Sequence, residues 1–190
     1  MNDPDVIGAD TPVDAAKLRQ EVSLKYREVA VEPDGDYHFH TGRALAARLG
    51  YDSKIVDALP DAAVESFAGV ANPFSMRDLP PGSRVVDAGA GAGFDCFVAA
   101  QQVGPEGQVV GIDMTDEMLS KSRATARQMG LGHVEFREGL LKHMPVDDDW
   151  ADTVISNGVF NLCADKRGVF SEVMRVLKPG GTLQFADIAN

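Results

Sequence analysis

Three features of the 190-residue chain predict an α/β fold built on a parallel sheet of about five strands. From residue 83 onward, short β-branched runs alternate with segments of helical periodicity. The first run, Val85-Val86-Asp87, enters a turn in which glycines alternate with alanines, Gly89-Ala90-Gly91-Ala92-Gly93, and a helix starts at Phe94-Asp95-Cys96. An acidic residue, Asp113, closes the next run about twenty residues beyond that turn.

In chain order, residues 1–12 are acidic, rich in proline and poor in apolar residues, which predicts a mobile tail. Val13–Ala30 places Leu18, Val22, Tyr26 and Val29 at helical spacing, an amphipathic helix that needs a partner surface. Glu32-Pro33-Asp34-Gly35-Asp36 breaks it. Tyr37-His38-Phe39-His40 follows, and then three short helical pieces over 43–49, 53–59 and 61–67. The loop 68–74 and Pro80-Pro81-Gly82 lead into the first strand. This divides the chain into a tail and helical cap over 1–80 and a nucleotide-binding domain over 81–190.

Strands are expected at 83–88, 108–113, 133–137, 151–156 and 182–188, and helices at 93–103, 115–129 and 165–177. In the last helix Val169, Val173 and Val176 are assigned one face together with Phe170, Met174 and Leu177. Strand–helix alternation implies right-handed crossovers and a Rossmann-like sheet. Ligands of such sheets bind beyond the carboxyl ends of the strands, where Asp87, Asp113 and Ser156-Asn157 fall.

Composition limits the function classes. A net charge of −11 argues against nucleic acid as a partner, because phosphate binding needs clustered Lys and Arg. No apolar run reaches the roughly eighteen residues of a membrane helix. The acidic start is not a signal peptide. The two cysteines, Cys96 and Cys163, fall on separate elements and are read as reduced thiols, which implies a cytoplasmic location.

The glycine turn alone fits several nucleotide cofactors, and the ribose-binding position of Asp113 fits them equally. Asp87 decides between them. A carboxylate at the strand end would repel a pyrophosphate, whereas the amino group and sulfonium of S-adenosylmethionine are cations. A nicotinamide-dependent oxidoreductase is therefore the weaker reading.

Taken together, Asp87-x-Gly-x-Gly-x-Gly93, Gly111-Ile-Asp-Met-Thr115, Ser156-Asn157 and Leu177-Lys-Pro-Gly-Gly181 resemble the class I S-adenosylmethionine-dependent methyltransferases over roughly residues 80–188. Gly93-Phe-Asp-Cys96, Asp113-Met-Thr115, Ser156-Asn-Gly-Val-Phe-Asn-Leu162, Asp165-Lys166 and Phe39-His-Thr-Gly42 resemble the arsenite methyltransferases more closely. The resemblance implies that Asp87, Gly89, Ala90, Gly91 and Gly93 hold the methionine part of the cofactor. It implies Asp113 on the ribose, Met114 packed on the adenine, Leu140 and Leu141 at the adenine edge, and Ser156 and Asn157 near the amino acid portion and the methyl group.

The chain departs from that family where arsenic would be held. Trivalent arsenic takes soft thiolate ligands. The position of one such cysteine is Gly158, and the upstream loop Phe67-Ala-Gly-Val-Ala-Asn-Pro73 carries none. Three converging thiolates cannot be built from Cys96 and Cys163. The expected acceptor is a small molecule other than arsenite, and a cofactor-binding protein without catalysis is the alternative.

A general base is required only if the acceptor carries a proton. Tyr37, His38 and His40, which precede the cap helices, are the candidates, with Asn157 beside the methyl group. The two histidines lack a matching carboxylate–histidine motif, so no metal is assigned. The chain stops at Asn190, before the last two strands usual in the fold it resembles. Two outcomes are expected: a shortened form of a longer protein, or a homodimer whose second subunit covers the open edge of residues 182–188.

Overall fold

The computed structural model describes residues 14–33, 35, 37 and 40–188. Five parallel strands form the sheet: β1 (Arg84–Ala88), β2 (Gln108–Asp113), β3 (Val134–Glu138), β4 (Ala151–Asn157) and β5 (Leu177–Ala186). Their order is β3-β2-β1-β4-β5. Chain progression reverses between β1 and β4, so a crevice opens beyond the carboxyl ends of those two strands.

The central strands read as buried runs because helices cover both faces. Val85, Val109 and Ile155 pack with Phe97, Val103 and Leu119 on one side. Val86, Val110 and Val154 pack with Val169, Val173 and Val176 on the other.

The helices are α1 (Ala15–Val31), α2 (Gly42–Arg48), α3 (Ser53–Asp57), α4 (Asp61–Val64), α5 (Phe94–Val103), α6 (Asp116–Gln128) and α7 (Lys166–Val176). Asp14 caps α1 by accepting from the N–H groups of Ala16 and Lys17, so the helix begins two residues later than the apolar spacing suggests. Short 3-10 turns lie at Pro73–Ser75 and Phe160–Leu162.

Two expectations are corrected. In α7, Val169, Val173 and Val176 are buried, but Phe170 is 38% and Met174 70% exposed. The i, i+4, i+7 stripe faces the sheet, and the residues one position round it point outward. The last strand runs over 177–186 rather than 182–188. Leu177 already pairs with Ala151, and an irregularity carries Lys178–Gly181 before Thr182 pairs with Thr153. β5 forms one edge of the sheet. No helix among the described residues is long and apolar enough to cross a membrane.

Candidate functional site

The glycine turn shapes the floor of the crevice. Gly89, Gly91 and Gly93 all have positive φ, at 89°, 52° and 93°. They serve different ends. A Cβ on Gly91 would meet little, Met118 Sδ at 3.9 Å, so the backbone there stays open to a ligand. A Cβ on Gly93 would lie 2.7 Å from the Phe136 ring and 3.0 Å from Phe97, so this glycine lets α5 sit close on the sheet. The Gly89 and Ala90 N–H groups both donate to the Ile112 carbonyl, at 2.9 Å each, which ties the turn to β2.

Three carboxylates surround this turn, and all are buried or nearly so. Asp87, 2% exposed, accepts from the Cys96 thiol at 3.2 Å. Asp95 opens α5 and accepts from the Tyr51 hydroxyl at 2.7 Å and from Asn157 Nδ2 at 3.1 Å. Asp113 accepts from the Gly91 N–H and the Thr115 N–H, each at 2.9 Å.

Burial raises all three carboxyls above their usual range. The neighbouring Asp95 charge pushes Asp87 up further. Asp95 stands at about 6, with burial the largest cause and its bonds from Tyr51 and Asn157 pulling the other way. Burial and Asp87 raise the Cys96 thiol, so it is a protonated donor and not a thiolate ligand. Among the described residues none of the three forms an ion pair, although Arg19 and Lys142 line the same cleft.

The cleft encloses roughly 1290 Å³ of empty space, part of it open to solvent. Asp87, Gly89, Ala90, Gly91, Asp113, Met114, Leu140, Leu141 and Asn157 all line it. The first strand, the glycine turn, the end of β2 and the loop after β3 thus meet in one place, as the sequence motifs suggest. Gly93 and Ser156 lie beneath the lining. Ser156 is 2% exposed and donates to the Ala88 carbonyl at 2.8 Å, joining β4 to β1.

Asn157 faces the cleft with its amide engaged in the protein. Its Oδ1 accepts from the Val70 and Ala71 N–H groups at 2.8 and 3.2 Å. Its Nδ2 donates to the Ala71 carbonyl at 2.8 Å and to the Tyr51 hydroxyl at 3.1 Å. Asn157 therefore clamps the loop 68–72, whose Ala68 and Gly69 form part of the cleft wall.

His40 is exposed and does not line the cleft. His38 falls outside the described residues. Tyr37 donates to the Glu32 carbonyl at 2.6 Å.

Sequence reasoning missed one wall. Ala15, Arg19, Val22 and Tyr26 of α1 line the cleft together. Their spacing of four, three and four residues is the signature of a single helical face, but which surface that face meets is a tertiary fact. Phe67, Phe94, Val159, Leu162 and Val169 supply an apolar wall, with Cys163 beside them.

A cradle of glycines under buried acidic groups at the switch point of a parallel sheet defines a class I methyltransferase fold. The chain belongs to that family: the model described as "Methyltransferase domain" matches residues 79–190. An arsenite methyltransferase from Halobacterium salinarum is 47% identical over 141 residues, 74% of this chain and 36% of that protein. A demethylmenaquinone methyltransferase from Bacillus cytotoxicus is 35% identical over 107 residues, 56% of this chain and 45% of that one. The crystal structure of an arsenic (III) S-adenosylmethionine methyltransferase from Chlamydomonas reinhardtii matches with a TM-score of 0.64 at 35% identity, covering 78% of this chain and 50% of that one. The matched part of this chain therefore spans less than half the length of these two curated relatives.

S-adenosylmethionine is the family's cofactor, and the donor set here suits it. Asp87, Asp95 and Asp113 gather acidic groups at the glycine turn, which suits the positive charge of a sulfonium and an ammonium. Gly91 leaves room at the backbone, and Met114 offers an apolar, polarisable face to a base.

Proposed function

We propose that this chain is the cofactor-binding part of an S-adenosylmethionine-dependent methyltransferase that acts on a small-molecule acceptor. The observation that carries the reading is the set of buried carboxylates around the glycine turn, none of them ion-paired among the described residues. Such a pocket favours a cationic ligand over a pyrophosphate. When bound, S-adenosylmethionine supplies a methyl group already activated by its positive sulfur.

The chain's own contribution is then binding and aim. Asp113 takes the ribose, Met114, Leu140 and Leu141 flank the adenine, and Asp87 with Gly89, Ala90 and Gly91 receives the methionine part. Gly93 and Ser156 act from below by fixing the turn and the β1–β4 seam. Asn157 acts by holding the loop 68–72 against the cleft. Of the two histidines, His38 is proposed as a base only for an acceptor that carries a proton, and His40, which does not line the cleft, is set aside.

The apolar wall of Phe67, Val159, Leu162 and Val169 supports an uncharged acceptor. Relatives named for arsenite and for demethylmenaquinone fit that description equally. Arsenite is disfavoured for this chain because Gly158 and the loop 67–73 provide no thiolate. A Cβ on Gly158 would lie 3.0 Å from Val70 Cγ1, and its φ is +74°, so the backbone there is shaped for glycine. The decisive experiment is transfer of labelled methyl from S-adenosylmethionine to a panel of thiol, hydroxyl, amine and quinol acceptors, with arsenite included. Transfer to none, with the cofactor still bound, would favour the second reading: a cofactor-binding protein that catalyses nothing.

Three organisational proposals accompany this reading. The chain divides into a helical cap over 1–80 and the cofactor domain over 81–190. The location is cytoplasmic, in keeping with two free thiols. Two copies pair through the open edge of β5, beside which Phe170, Met174, Phe185 and Ile188 are exposed. Light scattering tests the last, and a monomer at all concentrations would overturn it.

A further inference from the structure

We propose that Tyr26 is a cofactor-binding residue, carried on a helix that roofs the cleft and closing the adenosine end of the site opposite Asp113. The inference rests on the proposed cofactor and extends it to a residue that no nucleotide-binding motif contains.

Four observations converge on it. First, one face of α1 lines the cleft, from Ala15 near its start through Arg19 and Val22 to Tyr26. Second, α1 bridges the two lips of the crevice, touching α6 on the β2 side and the Phe160–Leu162 turn on the β4 side. It therefore spans the mouth rather than flanking it.

Third, only the carboxyl-terminal end of α1 is anchored firmly. Val29, the one fully buried residue of the helix, packs with Ala92 and Met118. The Val29 carbonyl accepts from Ser66 Oγ at 3.2 Å, and the Ala30 carbonyl accepts from Lys121 at 3.3 Å. Arg27 pairs with Glu117 at 2.8 Å. Tyr26 sits next to these anchors, packed against the same buried cluster. Its position over the cleft is therefore fixed, while the amino-terminal turns of α1 bury no side chain.

Fourth, Tyr26 lies within the electrostatic reach of Asp113. Burial raises its hydroxyl first, and the charges of Asp113 and Asp187 raise it further, so the phenol stays protonated and able to donate. Both Asp113 oxygens already accept a backbone N–H on the protein side. A protonated phenol lining the same cleft as that carboxylate complements it. The carboxylate accepts from ribose hydroxyls, and the phenol donates to a ligand oxygen or nitrogen and covers the base with its ring.

The test uses S-adenosylhomocysteine, the demethylated cofactor, titrated calorimetrically into the wild-type chain and into Tyr26→Phe and Tyr26→Ala. Tyr26→Phe keeps the ring and the packing around Val29, and its thermal midpoint serves as the folding control. Loss of the hydroxyl is expected to weaken binding about three- to tenfold, and loss of the ring further. Titration with adenosine should show the same ratios, and methionine should not compete differently between the variants. In parallel, S-adenosylhomocysteine should slow tryptic cleavage at Lys17, Arg19, Lys25 and Arg27, because a filled cleft holds the roof down. Wild-type binding with unchanged affinity in both variants would overturn the role of Tyr26 alone. Failure of the wild type to bind would overturn this inference and the proposed cofactor together.

Discussion

The Tyr51 hydroxyl, in the segment between α2 and α3, donates to Asp95 Oδ1 in α5 at 2.7 Å. Asn157, at the end of β4, donates to both partners of that bond. The α2–α3 connection, helix α5 and strand β4 thus meet at one buried polar cluster. Tyr51 also packs edge-on against Phe67, Phe74 and Phe94, so the polar contact is sealed from water by aromatic rings.

Removal of that hydroxyl should loosen the α2–α3 segment and the loop 68–72. Tyr51→Phe leaves the packing in place but deprives a buried carboxylate of its shortest donor. The expected loss of stability is about 1–3 kcal/mol, read from urea unfolding. Amide exchange at Val70 and Ala71 should quicken too, because their anchor Asn157 loses a partner. Unchanged exchange there would show that the loop is held independently of Tyr51.

The pH dependence follows from Asp95. Its carboxyl is raised to about 6 in the folded chain from an ordinary value of 3.8. The native state therefore binds the more protons between those values, and stability falls as pH rises through that window. The contribution of this group is at most about 3 kcal/mol. It is fully present below about pH 4 and gone above about pH 6. Asp95→Asn should flatten that part of the stability–pH curve measured by urea titration.

Ligand binding should show the opposite slope. A cationic amino group or sulfonium prefers ionised carboxylates, so cofactor affinity should fall as pH drops through about 6, with proton release on binding in that range. Calorimetry in buffers of different ionisation enthalpy would count those protons. Affinity that is flat from pH 5 to 8 would argue that the cofactor does not sense Asp95.

Asp113→Ala should weaken S-adenosylhomocysteine by about 1–3 kcal/mol, through lost ribose contacts and through release of the Gly91 and Thr115 N–H groups it now orders. Titration calorimetry reads this directly. An unaltered affinity would remove Asp113 from the site.

Arsenite should form no stoichiometric, thiol-dependent complex with this chain. Cys96 is fully buried and donates to Asp87, and Cys163 stands apart at the cleft wall with its own thiol raised by burial. A binding titration with and without thiol blocking tests this. A tight one-to-one complex lost on blocking would force Cys163 or Cys96 into a ligand role.

The local signals in this sequence were strong where a residue's chemistry constrains its own neighbourhood. Alternating β-branched runs and helical periods announced the parallel sheet, and β2 matches its expected bounds of 108–113. The glycine turn needs positive φ at three positions, which marks it in any sequence reading. Asp87 and Asp113 could be placed around the cleft because they close strands, and strand ends in such sheets share one rim, whereas Met114, Leu140 and Leu141 were legible only through the family resemblance.

Only the tertiary structure decided what the long-range contacts are. The apolar stripe of α1 was visible, but a stripe does not name its partner, and the cleft proved to be what Arg19, Val22 and Tyr26 face. Asn157 stood at a strand end and read as a cleft residue, yet its amide is engaged with a loop more than eighty residues away in sequence. Ser156 bonds the neighbouring strand instead of facing the cleft, since alternation along a strand turns successive side chains to opposite faces. The physical reason is the same in each case: period and propensity are properties of a few consecutive residues, whereas a hydrogen bond across the fold depends on where two distant segments come to rest.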